Sequence, residues 1–211
     1  MLAEHQLVTQ LVTQLVRSMA QRTLRKTVST KSEEVWRHRG EMDIYTRQTR
    51  ASVSNNHPEV DHVLEVAFLQ DAQEQACVLE GARVWDGFAA MHMGELLQDV
   101  ANGVRNLNVT TRMVNQKKKG PFASVRNRMR KSDGRELRSI TLEQFARTGA
   151  AKPLVDDGTW ARIETSIVQT WDALKPQLED VEEEKAHPQT RRLLAQTAEQ
   201  IDQLLDRVGL L

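Results

Sequence analysis

Two short stretches of this 211-residue chain carry the polar residues best suited to chemistry. Asp61 and His62 are adjacent in the run EVDHVLEV, and Asn106 and Asn115 lie nine residues apart in a later run. A histidine can take a proton from water, and carboxylate and amide oxygens are ligands that Mg²⁺ prefers. Hydrolysis of a phosphodiester needs such a base together with a cation that neutralises the phosphate charge. We therefore consider these residues candidates for that chemistry.

The second stretch lies in a basic segment. Residues 105–138 contain eleven Lys or Arg and two acidic residues, although the whole chain has 29 basic and 29 acidic residues and no formal net charge. A local basic patch is typical of a surface that binds a polyanion. A solvated, charge-rich surface without a partner is the alternative for this feature.

These two runs together resemble the HNH, or ββα-metal finger, nucleases. VDHVLEV is similar to their Asp-His strand, and NLNVTTRMVNQKKKG to their second strand and helix, with Thr110 where the HNH domain of CRISPR effector nucleases has a threonine. The resemblance implies that His62 is the general base and that Asn106 braces the turn and orients His62. It also implies that Asp61 and Asn115 hold one divalent metal ion, Mg²⁺ or alternatively Mn²⁺.

The resemblance covers only residues 59–66 and 104–120, and it departs from the compact pattern. The stretch from Ala67 to Val100 would have to insert a helical hairpin into the finger. Cys77 is the only cysteine, so the zinc-knuckle cysteines of many HNH proteins are absent and no internal disulfide can form.

The function that follows is a metal-dependent endonuclease with little sequence specificity, because contacts to the phosphate backbone carry no base code. The resemblance favours DNA over RNA. The alternative is a non-catalytic nucleic-acid-binding or protein-interaction module on a degenerate nuclease scaffold. The basic residues that we expect to contact nucleic acid are Arg47, Arg50, Lys117, Lys118, Lys119, Arg126, Arg128 and Arg130.

Hydrophobic periodicity predicts the elements that must position these residues. Residues 59–66 alternate as a strand, and 104–110 form a second, short strand. Thr110 or Thr111 could cap a helix at 111–119 that stops at Gly120-Pro121. Further helices are predicted at 3–36, at 68–101 with a break near Gly81 or Gly87, and at 141–148, 157–180 and 188–208.

The predicted fold is mostly α with a small embedded ββα-metal finger. Its parts are an N-terminal helical segment at 1–45, a nuclease core at 46–135 with a helical insertion at 67–100, and a C-terminal helical segment at 136–211. The apolar stripe of the first helix offers a surface for a homo-oligomer. No apolar run reaches the roughly 20 residues of a membrane span. We expect a cytoplasmic or nuclear protein, with mitochondrial targeting by residues 1–32 as the alternative.

Overall fold

The structure, a computed structural model, describes Leu24 and residues 26–79, 87–131, 155–182 and 184–211. The predicted helix at 141–148 and most of the predicted N-terminal helical segment lie outside these residues, as does the apolar stripe.

The described residues are mostly helical, with one small antiparallel sheet of two strands. Short 3-10 turns precede α1 and β2. In chain order the elements are α1 (Ser32–His38), α2 (Arg50–Ser54), β1 (Pro58–His62), α3 (Val66–Leu79), α4 (Gly87–Asn102), β2 (Leu107–Thr111), α5 (Arg112–Lys131), α6 (Asp157–Glu179) and α7 (Pro188–Arg207).

The sheet pairs the two predicted strands, and α5 starts directly after β2. Pro58 lies opposite Thr111, and His62 lies opposite Leu107. The first strand is shorter than the predicted 59–66, because pairing ends at His62 and the chain turns into α3 at Val66. α5 contacts both strands, so the chain has the order strand, strand, helix that was predicted for these residues.

α5 continues past Gly120 and Pro121 to Lys131, so the prediction of a helix ending there is wrong. Proline removes one helical hydrogen bond and crowds the preceding turn. The turn that follows is held by packing, since Phe122 is buried and its ring lies edge-on to Phe68 in α3, 5.3 Å between centroids. At the other end Thr111 caps the helix, with its Oγ1 accepting from the Val114 N–H at 3.3 Å.

The C-terminal helices begin and end close to their predicted limits. The N-cap of α6 is Asp156, whose side chain accepts from the Thr159 N–H at 2.9 Å. Pro176 lies inside α6, and the helix continues beyond it to Glu179. Pro188 opens α7, where its missing N–H costs no helical bond.

Two groups of buried apolar residues hold the fold together. The larger joins α3, α4, α6 and α7, with α7 packed along α3. The smaller lies where α1 and α2 meet the sheet, and includes Val35, Trp36, Val53, Leu107 and Val109. The sheet is therefore held in two ways. α1 and α2 pack against it directly, and α3 and α4, which connect β1 to β2, are packed in the larger group.

None of the helices in the described ranges combines the length and apolar character that a membrane span requires.

Candidate functional site

One cavity of about 350 Å³ brings together three of the residues predicted to do chemistry. Asp61, His62 and Asn115 all border it, together with Glu59 and Lys119. Glu59 and Asn115 are 56 positions apart in the chain, so the cavity exists only because β1 and α5 pack together. The other residues around it are Lys26, Thr27, Val28, Ser29, Ser32, Pro58, Val60 and Val109.

His62 ends β1 and is buried, with its ring Nε2 3.1 Å from the Oδ1 of Asn102. The Nδ2 of Asn102 donates to the carbonyls of Leu24 and Gln98, each at 2.7 Å, which leaves its Oδ1 as the acceptor. Nε2 of His62 must therefore carry the proton in this contact. In the neutral ring the lone pair that can accept a proton is then on Nδ1.

Asn106 braces the exit of β1, as predicted, but it does not bond the His62 ring. Its Oδ1 accepts from the Leu64 N–H at 2.8 Å, and its Nδ2 donates to the carbonyls of Leu64 and Ala101. The ring contact belongs to Asn102, at the end of α4. The prediction that Asn106 orients His62 is corrected in this respect, because the inserted helix places another asparagine beside the ring.

Asn115 lies in the first turn of α5 and is buried. Its Nδ2 donates to the Oε2 of Glu59 at 2.8 Å. Its Oδ1 is buried and has no hydrogen-bond partner among the described residues. A buried acceptor without a partner costs about 1–3 kcal/mol, so this oxygen is a natural position for a ligand to satisfy.

Asp61 is held by a buried lysine. The Asp61 Oδ2 accepts from Lys118 Nζ at 2.7 Å and from the Tyr45 hydroxyl at 3.0 Å. Lys118 also donates to the Glu65 carboxylate at 3.0 Å and to the backbone carbonyl of His62. We call Tyr45, Asp61, Glu65 and Lys118 the Lys118 cluster; all four are buried.

Lys118 is therefore not a nucleic-acid contact, and that prediction is wrong. Its side chain is 0% exposed, whereas those of Lys117 and Lys119 are partly exposed. The helical period explains the difference, because Lys118 lies three and four residues after Asn115 and Val114, both buried. Nothing in the run Lys117–Lys119 indicates from sequence alone that the side chain of Lys118 is buried.

Burial and charged neighbours both shift pKa values in the Lys118 cluster. Burial raises the pKa of Asp61 above its ordinary value, an effect that Lys118 partly offsets and Glu65 reinforces. Burial alone would lower the pKa of Lys118, but Asp61 and Glu65 outweigh it and raise that pKa. Burial, followed by Asp61, holds the pKa of Tyr45 well above 10. The carboxylates of Asp61 and Glu65 thus keep Lys118 charged although it is buried.

A turn after α1 positions Tyr45 in this cluster. Asp43 is buried, and its Oδ1 accepts from the Asn108 Nδ2 at 2.8 Å and from the Tyr45 N–H at 3.0 Å. Its Oδ2 accepts from the hydroxyls of Thr110 at 2.8 Å and Thr46 at 2.6 Å. The threonine noted in the family resemblance therefore anchors this turn to β2.

Two oxygen atoms at the cavity, one from a carboxylate and one from an amide, are of the kind that a hard divalent cation takes as ligands. The hydrogen bonds that Asp61 accepts within the described ranges end on Oδ2, which leaves Oδ1, and Asn115 has its partnerless Oδ1. The described residues contain no group of three His, Cys, Asp or Glu side chains arranged for a metal ion. A metal site here would thus depend on a mixed pair of one carboxylate and one amide oxygen.

The remaining predicted nucleic-acid residues differ in their surroundings. Lys119 borders the cavity and Arg47 is exposed at a different one. Arg50 forms ion pairs with Glu33 and Glu41. Arg126 forms a two-pronged pair with Asp71 in α3, at 2.5 and 2.9 Å. Arg128 and Arg130 lie in the last turns of α5.

No known protein family matches this chain, and no curated protein or solved structure is detectably similar to it.

Proposed function

We propose that this chain is a metal-dependent endonuclease that hydrolyses phosphodiester bonds of DNA. The observation that carries the proposal is the shared cavity of Asp61, His62 and Asn115. These residues lie on a strand, strand, helix unit in the order of the HNH nucleases. In this proposal β1, β2 and α5 form the ββα-metal finger, and α3 and α4 are its insertion.

The Oδ1 atoms of Asp61 and Asn115 would hold one divalent ion, Mg²⁺ or Mn²⁺. When bound, such an ion neutralises phosphate charge and stabilises the leaving oxygen. Glu59 supports this arrangement, because it accepts from the Nδ2 of Asn115 and so assigns the amide oxygen to the ligand side. Lys118 fixes the other oxygen of Asp61.

His62 would take the proton from the attacking water, as the resemblance to HNH nucleases implies. Asn102 supports this role, because its Oδ1 accepts a hydrogen bond from the His62 Nε2 and so holds the ring in one orientation. Lys119 and Lys26, both at the cavity, would attract the phosphate backbone. Backbone contacts do not distinguish bases, so cleavage would have little sequence specificity.

The rival function, a non-catalytic module on a degenerate nuclease scaffold, draws support from burial. His62 is 4% exposed and Asp61 is 2% exposed. A catalytic base must come within hydrogen-bond reach of a water molecule that is in contact with substrate. Activity would therefore require substrate to enter the cavity, whereas a binding module would not.

The test is plasmid nicking by the full chain in Mg²⁺ or Mn²⁺, with DNA affinity measured alongside. We expect His62→Gln to lower the nicking rate by roughly 10²–10⁴-fold, the usual contribution of a positioned base. Glutamine keeps an N–H donor for Asn102, so the fold and DNA affinity should be retained. His57→Ala is the matched control, because His57 is exposed and does not border the cavity.

Equal nicking rates for the wild type and His62→Gln would rule out His62 as the base. If the wild type binds DNA but nicks it with neither metal, the non-catalytic function is correct. A circular dichroism spectrum and a thermal unfolding curve of each variant separate loss of chemistry from loss of fold.

A further inference from the structure

A second cavity, of about 400 Å³, lies on a different part of the molecule and is bordered by cationic residues. Arg39 follows α1, Arg47 lies in the turn after it, and Arg105 precedes β2. Residues of α6 also border the cavity. No Asp or Glu is among the described residues that border it. None of the residues proposed for hydrolysis borders it either.

One arginine is held rigidly in place. Arg39 donates from Nε to the Leu107 carbonyl at 2.9 Å and from Nη2 to the Arg105 carbonyl at 2.7 Å. A guanidinium tied to the backbone in this way loses little conformational freedom when it binds a ligand.

The other two arginines have no carboxylate within salt-bridge distance in the described part of the chain. Arg47 and Arg105 are exposed and form no ion pair there. Arg47 also has a backbone φ of 60°, a conformation that side-chain-bearing residues adopt at some cost. The Asp43 carbonyl, which accepts from the Arg47 N–H at 2.9 Å, holds it there.

The pKa of His38, which borders the cavity, reflects the positive charge of the nearby arginines. Its pKa is lowered, first by burial and then by the charges of Arg39 and Arg105, while Glu34 acts in the opposite direction. The arginines therefore make it harder to add another positive charge at this place. An anion bound in the cavity would relieve that repulsion.

α6 supplies neutral hydrogen-bond donors to the same cavity. Ser166 and Thr170 lie one turn apart, border the cavity and are buried. Both can donate to an oxygen of a ligand.

We propose that this cavity binds a phosphate group, either free in a small phosphorylated molecule or in the backbone of a nucleic acid. Guanidinium groups match phosphate oxygens with two parallel hydrogen bonds each, and hydroxyls complete such a shell. Three guanidinium groups suit a doubly charged tetrahedral group better than a single carboxylate. The proposal does not depend on nuclease activity, because it uses other residues.

The test is calorimetric titration of inorganic phosphate and pyrophosphate into the full chain at constant ionic strength. We expect saturable binding by the wild type and an affinity at least about tenfold lower in the Arg47→Ala, Arg105→Ala double variant, given the strength of charge-assisted hydrogen bonds. Both side chains are exposed, so folding should be unaffected. Arg207→Ala, at the exposed end of α7, removes a like charge elsewhere as the control.

A second arm titrates a short DNA duplex into the same proteins, all carrying His62→Gln to prevent cleavage. Weaker DNA binding by the double variant identifies a backbone phosphate as the ligand. Unchanged DNA binding with lost phosphate or pyrophosphate binding identifies a free phosphorylated molecule. If the double variant matches Arg207→Ala with all three probes, the cavity is not a phosphate site.

Discussion

Lys118 is a fully buried ammonium that contacts Asp61, Glu65 and the backbone of His62. Removing one partner from a buried charge cluster usually costs about 3–5 kcal/mol, because the remaining charges lose their compensation. We therefore predict that Lys118→Met lowers the free energy of unfolding by about that amount. Urea denaturation monitored by circular dichroism measures the change.

Lys119→Met is the matched control for this prediction. Lys119 is the next residue of α5, but it is partly exposed. Surface substitutions usually change stability by less than about 0.5 kcal/mol. Adding Asp61→Asn and Glu65→Gln to Lys118→Met should restore part of the loss, since neutral amides need no counter-ion. A loss equal to that of Lys119→Met would mean that the carboxylates do not require the ammonium.

Asn102 is predicted to position His62 through its ring nitrogen. In wild type, ¹⁵N chemical shifts of the neutral His62 ring should report a proton on Nε2. Asn102→Ala removes the acceptor, so the ring should become a mixture of tautomers and kcat should fall roughly 10- to 100-fold, as for other groups that orient a functional histidine. KM should change little, because Asn102 contacts no substrate in the proposed mechanism.

Asn102→Asp separates positioning from a structural role. It keeps an acceptor for His62 but loses the donation from Nδ2 to Leu24 and Gln98. The Nε2-protonated tautomer should therefore survive in Asn102→Asp and be lost in Asn102→Ala. Identical ring spectra in the two variants would show that Asn102 serves the fold alone.

At the scale of elements, the sequence was sufficient where local pattern and chemistry agree. Alternation places a strand around Asp61 and His62, and helical periodicity places α6 and α7 within a residue or two of their limits. The local pattern predicted a helix end at Gly120-Pro121, but the helix continues there and is stabilised by the packing of Phe122 on Phe68. Local rules describe the cost of a proline but not the packing that offsets it.

α3 provides an element-scale prediction through Cys77, which is buried in the larger core. Burial, with a smaller effect of Glu74, raises the pKa of Cys77 to about 12. The thiolate is the reactive form, so at pH 8 the native protein should react with a maleimide roughly 10³-fold more slowly than an ordinary thiol. In urea the rate should rise to that of an ordinary thiol. Fast labelling of the native protein would mean that α3 opens readily from the core.

At the scale of the whole molecule, the sequence indicated which residues border the cavity but not which residues hold them in position. Glu59, Asp61, His62 and Asn115 were all in the two recognisable runs. Asp43, Tyr45 and Asn102 were not, because they lie in a turn and at a helix end whose distance from the site depends on the tertiary fold. Likewise, no local pattern predicts that arginines from three separate segments border one cavity.

The long path between β1 and β2 has a consequence for how the protein folds. Leu64 and Asn106 are joined by two hydrogen bonds although they are 42 positions apart. Closing a loop of this length costs only about 2 kcal/mol more than closing a short hairpin, because the entropy grows with the logarithm of length. It does, however, raise the contact order, and pairing across such a separation is slow. We therefore expect the helices to form early in folding and the cavity at the sheet to form late. A partly folded chain would then be largely helical and still lack its site.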